Sequence, residues 1–260
     1  MKIVFLGGDK RMDYVRERFS ADYDIVNSGA DVVILPMPLT RDGESIFSAT
    51  DHIPFECVAD VAKRGGLVLA GGECRALTEL CRQHSLQLVN YALDEQLTLC
   101  NAALTAENAV SVLIGATDGA LLGSEVLITG YGRIAKQLAA RLRAFGCEVT
   151  IAARRAESRC EAQLNGFAAV SPSEARLDSD FIVNTVPSRL FADSDFAEMG
   201  KSGNAVFLEL ATLPPLTPEN HADVRYIHGG GLPGKHSPRA AGSYIADTLV
   251  RILNERGEQS

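Results

Sequence analysis

Three groups of residues in this chain have types and spacing that could do chemistry. The first is Gly130-Tyr131-Gly132-Arg133-Ile134-Ala135, which reads G-x-G-x-x-A. In that pattern the first glycine permits a tight turn, the second lets a pyrophosphate approach the backbone, and the last small residue lets a helix pack on a strand. Alone the pattern is weak, but here it follows the apolar run Val126–Thr129 and opens a stretch in which Ile134, Leu138 and Leu142 share one helical face, with Gly146 as the stop. Strand, turn and helix are what a dinucleotide needs to place its pyrophosphate at a helix N-terminus. The next run, Val149–Ala153, ends in Arg154-Arg155, with no acid before Glu157. An Asp or Glu at that tip would hold the ribose 2′-hydroxyl of NAD, whereas two guanidiniums can grip a 2′-phosphate through bidentate, charge-assisted hydrogen bonds, so NADP is the expected cofactor. Asn184, Thr185, Val186 and Pro187 end a further run at the level of a nicotinamide ribose. Asn184 and Thr185 can hydrogen-bond it, and equally they are ordinary capping and turn residues.

The second group is the segment Gly229–Pro238, with Gly229, Gly230, Gly231 and Gly234 before Lys235 and His236. Its glycines allow a ligand to approach the backbone, and Lys235 and His236 are candidates to bind a carboxylate or move a proton. A domain hinge is the competing reading, and the position expected for it is an interdomain cleft. The third group follows three early apolar runs: Gly7-Gly8-Asp9-Lys10-Arg11, Pro36-Met37-Pro38, and Gly71-Gly72-Glu73-Cys74-Arg75. Ligands of parallel sheets gather at the carboxyl ends of strands, so these loops bring Arg11 and Arg75 toward one edge.

The elements that must position these groups are short Val/Ile/Leu-rich runs alternating with helical segments: Lys2–Gly8, Asp31–Pro36, Leu67–Gly71, Leu86–Tyr91, Glu125–Gly130, Glu148–Ala153, Phe181–Val186, Ala205–Leu210 and Val224–Gly229. Near-continuous apolar strands are covered on both faces, which predicts an α/β protein with parallel, doubly wound sheets. The Pro-free stretch Glu95–Leu122 predicts a helix, or a pair, bridging two domains. The expected domains are 1–120, a Rossmann- or flavodoxin-like substrate domain, and 121–236, the dinucleotide domain. In the last helix Ile245, Leu249 and Ile252 form a stripe beside Ala241 and Thr248, and this helix, 237–260, is expected to pack back on the first domain.

Composition excludes several classes. With 260 residues, a net charge of -8 and no cluster of Lys and Arg, the chain is not expected to bind nucleic acid. No stretch approaches about 18 consecutive apolar residues, and the opening apolar run is too short for a signal peptide, so neither a membrane span nor export is expected and the location is cytoplasmic. The six cysteines show no C-x-x-C pair and no His at ligand spacing. They are expected to be small buried hydrophobes, with no disulfide and no metal.

Gly7 to Arg11, Ile34 to Pro38 with Asp42-Gly43, Asn101 to Glu107, the Gly130 turn, and Leu232 to Lys235 with Pro238 and Ala241-Gly242 together resemble the family of dipicolinate synthase A subunits, in order along nearly the whole chain. Departures from the pattern fall at Ala211 to Pro215, His236-Ser237 and Ala240, and bear on substrate contacts. The resemblance implies oxidation of dihydrodipicolinate to dipicolinate with NADP, in the mother cell of a sporulating bacterium, alongside the B subunit of dipicolinate synthase. It also implies similarity to two-domain hydroxyacid and alanine dehydrogenases. Such a substrate is a dianion, and the cations expected to hold it are Arg11, Arg75 and Lys235, with Pro38, Asn101 and Thr105 as neutral contacts and His236 as a possible base. Two other readings stand beside it. One is a dinucleotide-binding protein that needs its partner for chemistry. The other is a dehydrogenase of 2-hydroxy or 2-amino acids, for which His221 and His228 lack an acid at matching sequence spacing. A homo-oligomer is compatible with all three.

Overall fold

The computed structural model describes residues 1–203, 205–211 and 224–257, and the chain divides into two units, Met1–Asn101 with Gly234–Ser260, and Ala102–Pro233. In the first unit the order is β1 (Lys2–Phe5), α1 (Lys10–Phe19), β2 (Asp24–Ile25), β3 (Ala30–Ile34), the short pair β4 (Ser45–Ile46) and β5 (Ile53–Pro54), α2 (Cys57–Val61), β6 (Ala62–Ala70), α3 (Arg75–Gln83) and β7 (Gln87–Asn90). The chain then enters α4 (Glu95–Ala116). The sheet is β2-β1-β3-β6-β7, all parallel, with the order reversing between β1 and β3. Its strands alternate between two apolar layers. Ile3, Phe5, Val32, Ile34 and Leu69 face one, and Val4, Val33, Leu35, Val68 and Ala70 face the other. Both faces are buried, which is why these runs carry so few polar residues.

The second unit runs β8 (Glu125–Thr129), α5 (Arg133–Ala144), β9 (Glu148–Ala152), α6 (Ala156–Leu164), β10 (Ala168–Val170), β11 (Phe181–Asn184), α7 (Asp193–Met199), β12 (Ala205–Glu209) and β13 (Val224–His228). Its six parallel strands lie in the order β10-β9-β8-β11-β12-β13, two mononucleotide-binding halves meeting between β8 and β11. All nine apolar runs become strands. The edge strands β2 and β10 are too short and too poor in branched residues to announce themselves in the sequence.

The stretch expected to bridge the domains is one helix, α4, and the division falls inside it, after Asn101, rather than near 120. Leu97 belongs to a core of the first unit, whereas Ala106, Ala109, Val110, Leu113 and Ala116 belong to a core of the second. By length and composition α4 could cross a membrane, although it contains no unbroken apolar run. Half of its apolar window is buried inside the protein, which is what a core helix shows. After α8 (Leu232–His236), α9 (Pro238–Gly257) packs against α1 in the first unit. It buries Ala241, Gly242, Ile245, Ala246, Thr248, Leu249 and Leu253, so Leu253 takes the core position expected for Ile252. Gly242 is required there, because a Cβ would come within 2.6 Å of the Arg11 carbonyl oxygen.

All six cysteines are free. Only Cys81 and Cys147 are buried, and there burial pushes their thiols up. Cys160 is exposed on α6, so the expectation of buried hydrophobes fails for it.

Candidate functional site

The G-x-G-x-x-A segment forms the turn from β8 into α5. Gly130 has φ +83°, and a Cβ there would lie 2.8 Å from Val186 Cγ2 and 2.9 Å from Thr185 Oγ1, so no other residue fits. Tyr131 is buried and its ring meets Phe167 edge-on. Gly132 caps α5 with no side-chain hydrogen bond, and a Cβ built on it meets nothing within 4 Å. The N-cap of this 12-residue helix thus brings no side chain of its own to the helix N-terminus, with Arg133 exposed and Ile134 half-buried behind it. Ala135 is fully buried against the sheet, the close helix-on-strand packing that the motif's last position exists to allow.

Arg154 and Arg155 are both exposed beyond the tip of β9, and Arg155 stands as the N-cap of α6. The neighbouring Arg159 donates from Nη1 to the carbonyls of Ala153 (2.9 Å) and Arg154 (2.8 Å), which holds the shape of that tip. Glu157, the nearest acid in the sequence, is in the first turn of α6 and exposed. A dinucleotide therefore fits on the structure's own terms. There is an uncapped helix N-terminus behind an obligatory glycine turn, and cations rather than a carboxylate stand at the end of the second strand.

Across the join between the halves, residues in register form one row at the carboxyl edge: Ala152, Thr129, Asn184, Glu209 and His228. Thr129 Oγ1 donates to Asn184 Oδ1 (2.6 Å), and Asn184 Nδ2 donates to both Glu209 oxygens (2.9 Å each) and to the Val186 carbonyl (3.1 Å). The Val186 N–H returns to Asn184 Oδ1 (3.0 Å), the Ala211 N–H donates to Glu209 Oε1 (2.8 Å), and Thr185 Oγ1 donates to the Thr129 carbonyl (2.6 Å). Asn184 and Thr185 thus serve the protein's own network, and Pro187 beyond them is exposed. Glu209 is only 7% exposed. Burial pushes its carboxyl above the ordinary range, and the Asn184 and Ala211 donors and the nearby His228 offset this only in part. Beside it the Tyr226 hydroxyl is buried without a partner among the described residues, and burial, with Glu209 adding, pushes it up to about 12. Tyr226 stacks on Phe207 and meets His228 edge-on.

Glu209 is the functional candidate that spacing along the sequence does not reveal. Its one signal there is an acid between Leu208 and Leu210 at the end of an apolar strand. It also corrects the expectation that His228 has no acidic partner, since parallel pairing sets the two side by side. The other histidine, His221, and positions 212 to 215 of the departing loop lie outside the described residues.

In the first unit, Arg11 differs most from expectation. It is 8% exposed and forms a bidentate pair with Asp9, Nε to Oδ1 (2.9 Å) and Nη2 to Oδ2 (2.8 Å). Asp9 also caps α1 by accepting from the Arg11 N–H (3.0 Å). Burial alone would raise the Asp9 carboxyl, but the hydrogen bonds and charge of Arg11 hold it below its usual value. Gly234 packs against this pair, since a Cβ there would be 3.0 Å from Arg11 Nε. Arg75 opens α3 at the same edge of the sheet but is exposed. Pro38 is exposed, Asn101 half-buried and Thr105 buried, the latter two on α4. Lys235 and His236 are exposed in α8, a helical turn where a glycine-rich loop was expected. Among the described residues no cluster of His, Cys, Asp and Glu could hold a metal.

Residues 113–209 match the family described as D-isomer specific 2-hydroxyacid dehydrogenase, NAD binding domain. The A subunit of dipicolinate synthase from Bacillus subtilis is 24% identical over 98% of this chain and 96% of its own length. The crystal structure of the dipicolinate synthase A subunit from Bacillus halodurans superimposes with a TM-score of 0.84 at 22% identity, covering 97% of each chain. A transhydrogenase from Sinorhizobium meliloti shares the fold at a TM-score of 0.67 and 16% identity, over 96% of this chain and 92% of that one. Along nearly its whole length this chain is therefore similar to the dipicolinate synthase A subunit, and over residues 113–209 it is similar to the NAD binding domain of D-isomer specific 2-hydroxyacid dehydrogenases.

Proposed function

We propose that this protein is the A subunit of a dipicolinate synthase, an oxidoreductase that converts dihydrodipicolinate to dipicolinate with NADP. The observation that carries this reading is the match to the dipicolinate synthase A subunit over both units, joined to a dinucleotide turn that is open at Gly132. The Arg154-Arg155 tip, with no carboxylate on it, supports NADP over NAD. A bound nicotinamide supplies the hydride acceptor, and loss of the ring proton completes an aromatic product, so the protein need mainly hold and orient its reactants.

The substrate's two carboxylates call for cations. Arg11 is committed to Asp9, so of the three expected cations Arg75 and Lys235 are the exposed ones. Arg11 keeps a supporting role, since its pair with Asp9 shapes the turn against which Gly234, next to Lys235, is seated. Pro38, Asn101 and Thr105 remain neutral candidates and His236 a candidate base. Work in the mother cell during sporulation and partnership with a B subunit, both resting on the family resemblance, complete the proposal, and self-association is compatible with it.

Fluorescence titration with NADPH and NADH, with and without dipicolinate, tests it. Tighter binding of NADPH that dipicolinate alters is the expected result. Replacing Arg154 and Arg155 together by Ala should weaken NADPH on the order of 30-fold and leave NADH unchanged. Equal binding of both cofactors by the native chain would overturn NADP. A second reading, a dehydrogenase of 2-hydroxy or 2-amino acids, is favoured by the Glu209–His228 adjacency. Turnover of such acids, with none of dihydrodipicolinate, would select it.

A further inference from the structure

Glu209 is a buried carboxylate that the proposed reaction does not use, and its place in the sheet gives it a specific consequence. The dinucleotide turn follows β8 and the Arg154-Arg155 tip follows β9, so the adenosine half of a bound dinucleotide lies over β8, β9 and β10. The nicotinamide half then lies over the carboxyl ends of β11, β12 and β13, where Asn184, Glu209 and His228 stand in one row. Asn184 Nδ2 donates to both carboxylate oxygens, and Ala211 adds a backbone donor, so the Glu209 carboxylate is held in one orientation. Among the described residues Tyr226 on β13 and the apolar Phe196 and Met199 of α7 pack on that face of the sheet, while the charged Arg176, Asp178, Asp195, Glu198 and Lys201 line a cavity with Thr129 and Ala152, at the β8 and β9 end of the row. His228 on β13 is the other titratable side chain facing it. The oxidised nicotinamide ring carries a positive charge that the reduced ring lacks, and a fixed buried anion acts on that difference.

We propose that Glu209 makes this site discriminate between the oxidised and reduced states of its cofactor, favouring NADP+ through its negative charge, with Asn184 as the positioning residue. This rests on the reading that the second unit binds a nicotinamide dinucleotide. An enzyme that must start its cycle with the oxidised cofactor and release the reduced one gains at both ends from such a bias.

The test is the ratio of dissociation constants for NADP+ and NADPH, measured by calorimetry on the full chain. Changing Glu209→Gln should shift that ratio toward NADPH by on the order of tenfold, the Coulomb effect of one charge at nicotinamide distance and intermediate dielectric. Glu209→Asp should keep the native ratio. A merely structural role would weaken both cofactors alike and leave the ratio fixed, which would overturn the inference. Should Glu209→Gln fail to fold, the native ratio itself decides. Its NADP+ preference should fade as pH falls through the raised Glu209 value, measured in a His228→Asn background so that imidazolium does not mimic the effect. The 2′-phosphate is common to both cofactors and cancels, and Tyr226 stays neutral throughout. A ratio that is flat with pH in that background overturns the inference. Failure of the native chain to bind either cofactor overturns the dinucleotide reading itself.

Discussion

The first turn of each unit leaves a parallel strand, passes two glycines and enters a helix, yet one turn is closed and the other open. In the first unit Asp9 caps α1, Arg11 neutralises Asp9, and the segment 47–49 lies across the glycines, with the Gly8 N–H donating to the Phe47 carbonyl (2.7 Å) and the Ala49 N–H to the Gly8 carbonyl (2.9 Å). A Cβ on Gly7 would come within 2.5 Å of the Phe47 oxygen, and one on Gly8 within 2.3 Å of Met12 Cγ. In the second unit α5 has no side-chain cap and Gly132 faces open space. A helix N-terminus must find an anion or another acceptor. The first unit supplies its own carboxylate, and the N-cap glycine of the second supplies none. Two similar doubly wound units thus differ in whether the N-cap residue supplies a side-chain acceptor to its helix.

The sharpest way to break this contrast is to remove the closure. Asp9→Ala takes away both the cap and the partner of a buried guanidinium and should cost about 3 kcal/mol, read as a lowered urea midpoint, while NADPH affinity is unchanged. The native pair also sets an acid limb. Because the folded Asp9 carboxyl lies below its unfolded value, its contribution is present above the unfolded value and is lost as pH falls through the folded one. Asp9→Asn should flatten that part of the stability profile. Next in size, Gly130→Ala forces a Cβ against Val186 and Thr185 at positive φ, and should cost about 2 kcal/mol with loss of NADPH binding.

A smaller change converts one edge into the other. Gly132→Asp has room for its side chain on extended backbone, φ -87° and ψ -169°, and supplies the carboxylate that Asp9 supplies in the first unit. It should raise stability by about 0.5 kcal/mol and weaken NADPH about tenfold or more, opposite signs in the two measurements. Loss of both, or of neither, would mean that the open turn is not where the phosphates sit. The smallest effect is expected for Lys63→Ala, whose exposed pair with Asp31 should be worth less than about 0.5 kcal/mol and should vanish in high salt.

What is legible along the sequence and what is not separate by distance along the chain. The Gly130 turn is legible because strand, glycines and helix are consecutive, and each obeys a local rule of backbone freedom or apolar period. The seven interior strands are legible because burial on both faces leaves a near-unbroken apolar run, and the edge strands β7 and β13 keep enough of that character to be read with them. Arg11 reads as a substrate cation although Asp9 is two residues away, because only the N-cap geometry turns Asp9 back onto its guanidinium. Lys235 and His236 read as loop residues because glycine and proline normally interrupt helices, yet Pro233 at the start of α8 is tolerated where no N–H is needed.

By itself the sequence determined the α/β class, the parallel sheets, the dinucleotide turn with its cationic strand tip, and the resemblance to one family, since these rest on periodicity, glycine chemistry and the order of motifs. Only the tertiary structure decided that Glu209 stands beside Asn184 and His228 and that Arg11 is spent on Asp9. Neighbours across a parallel sheet are set by strand order and register, and a side chain's partners by the turn that aims it. Neither is written in spacing along the chain.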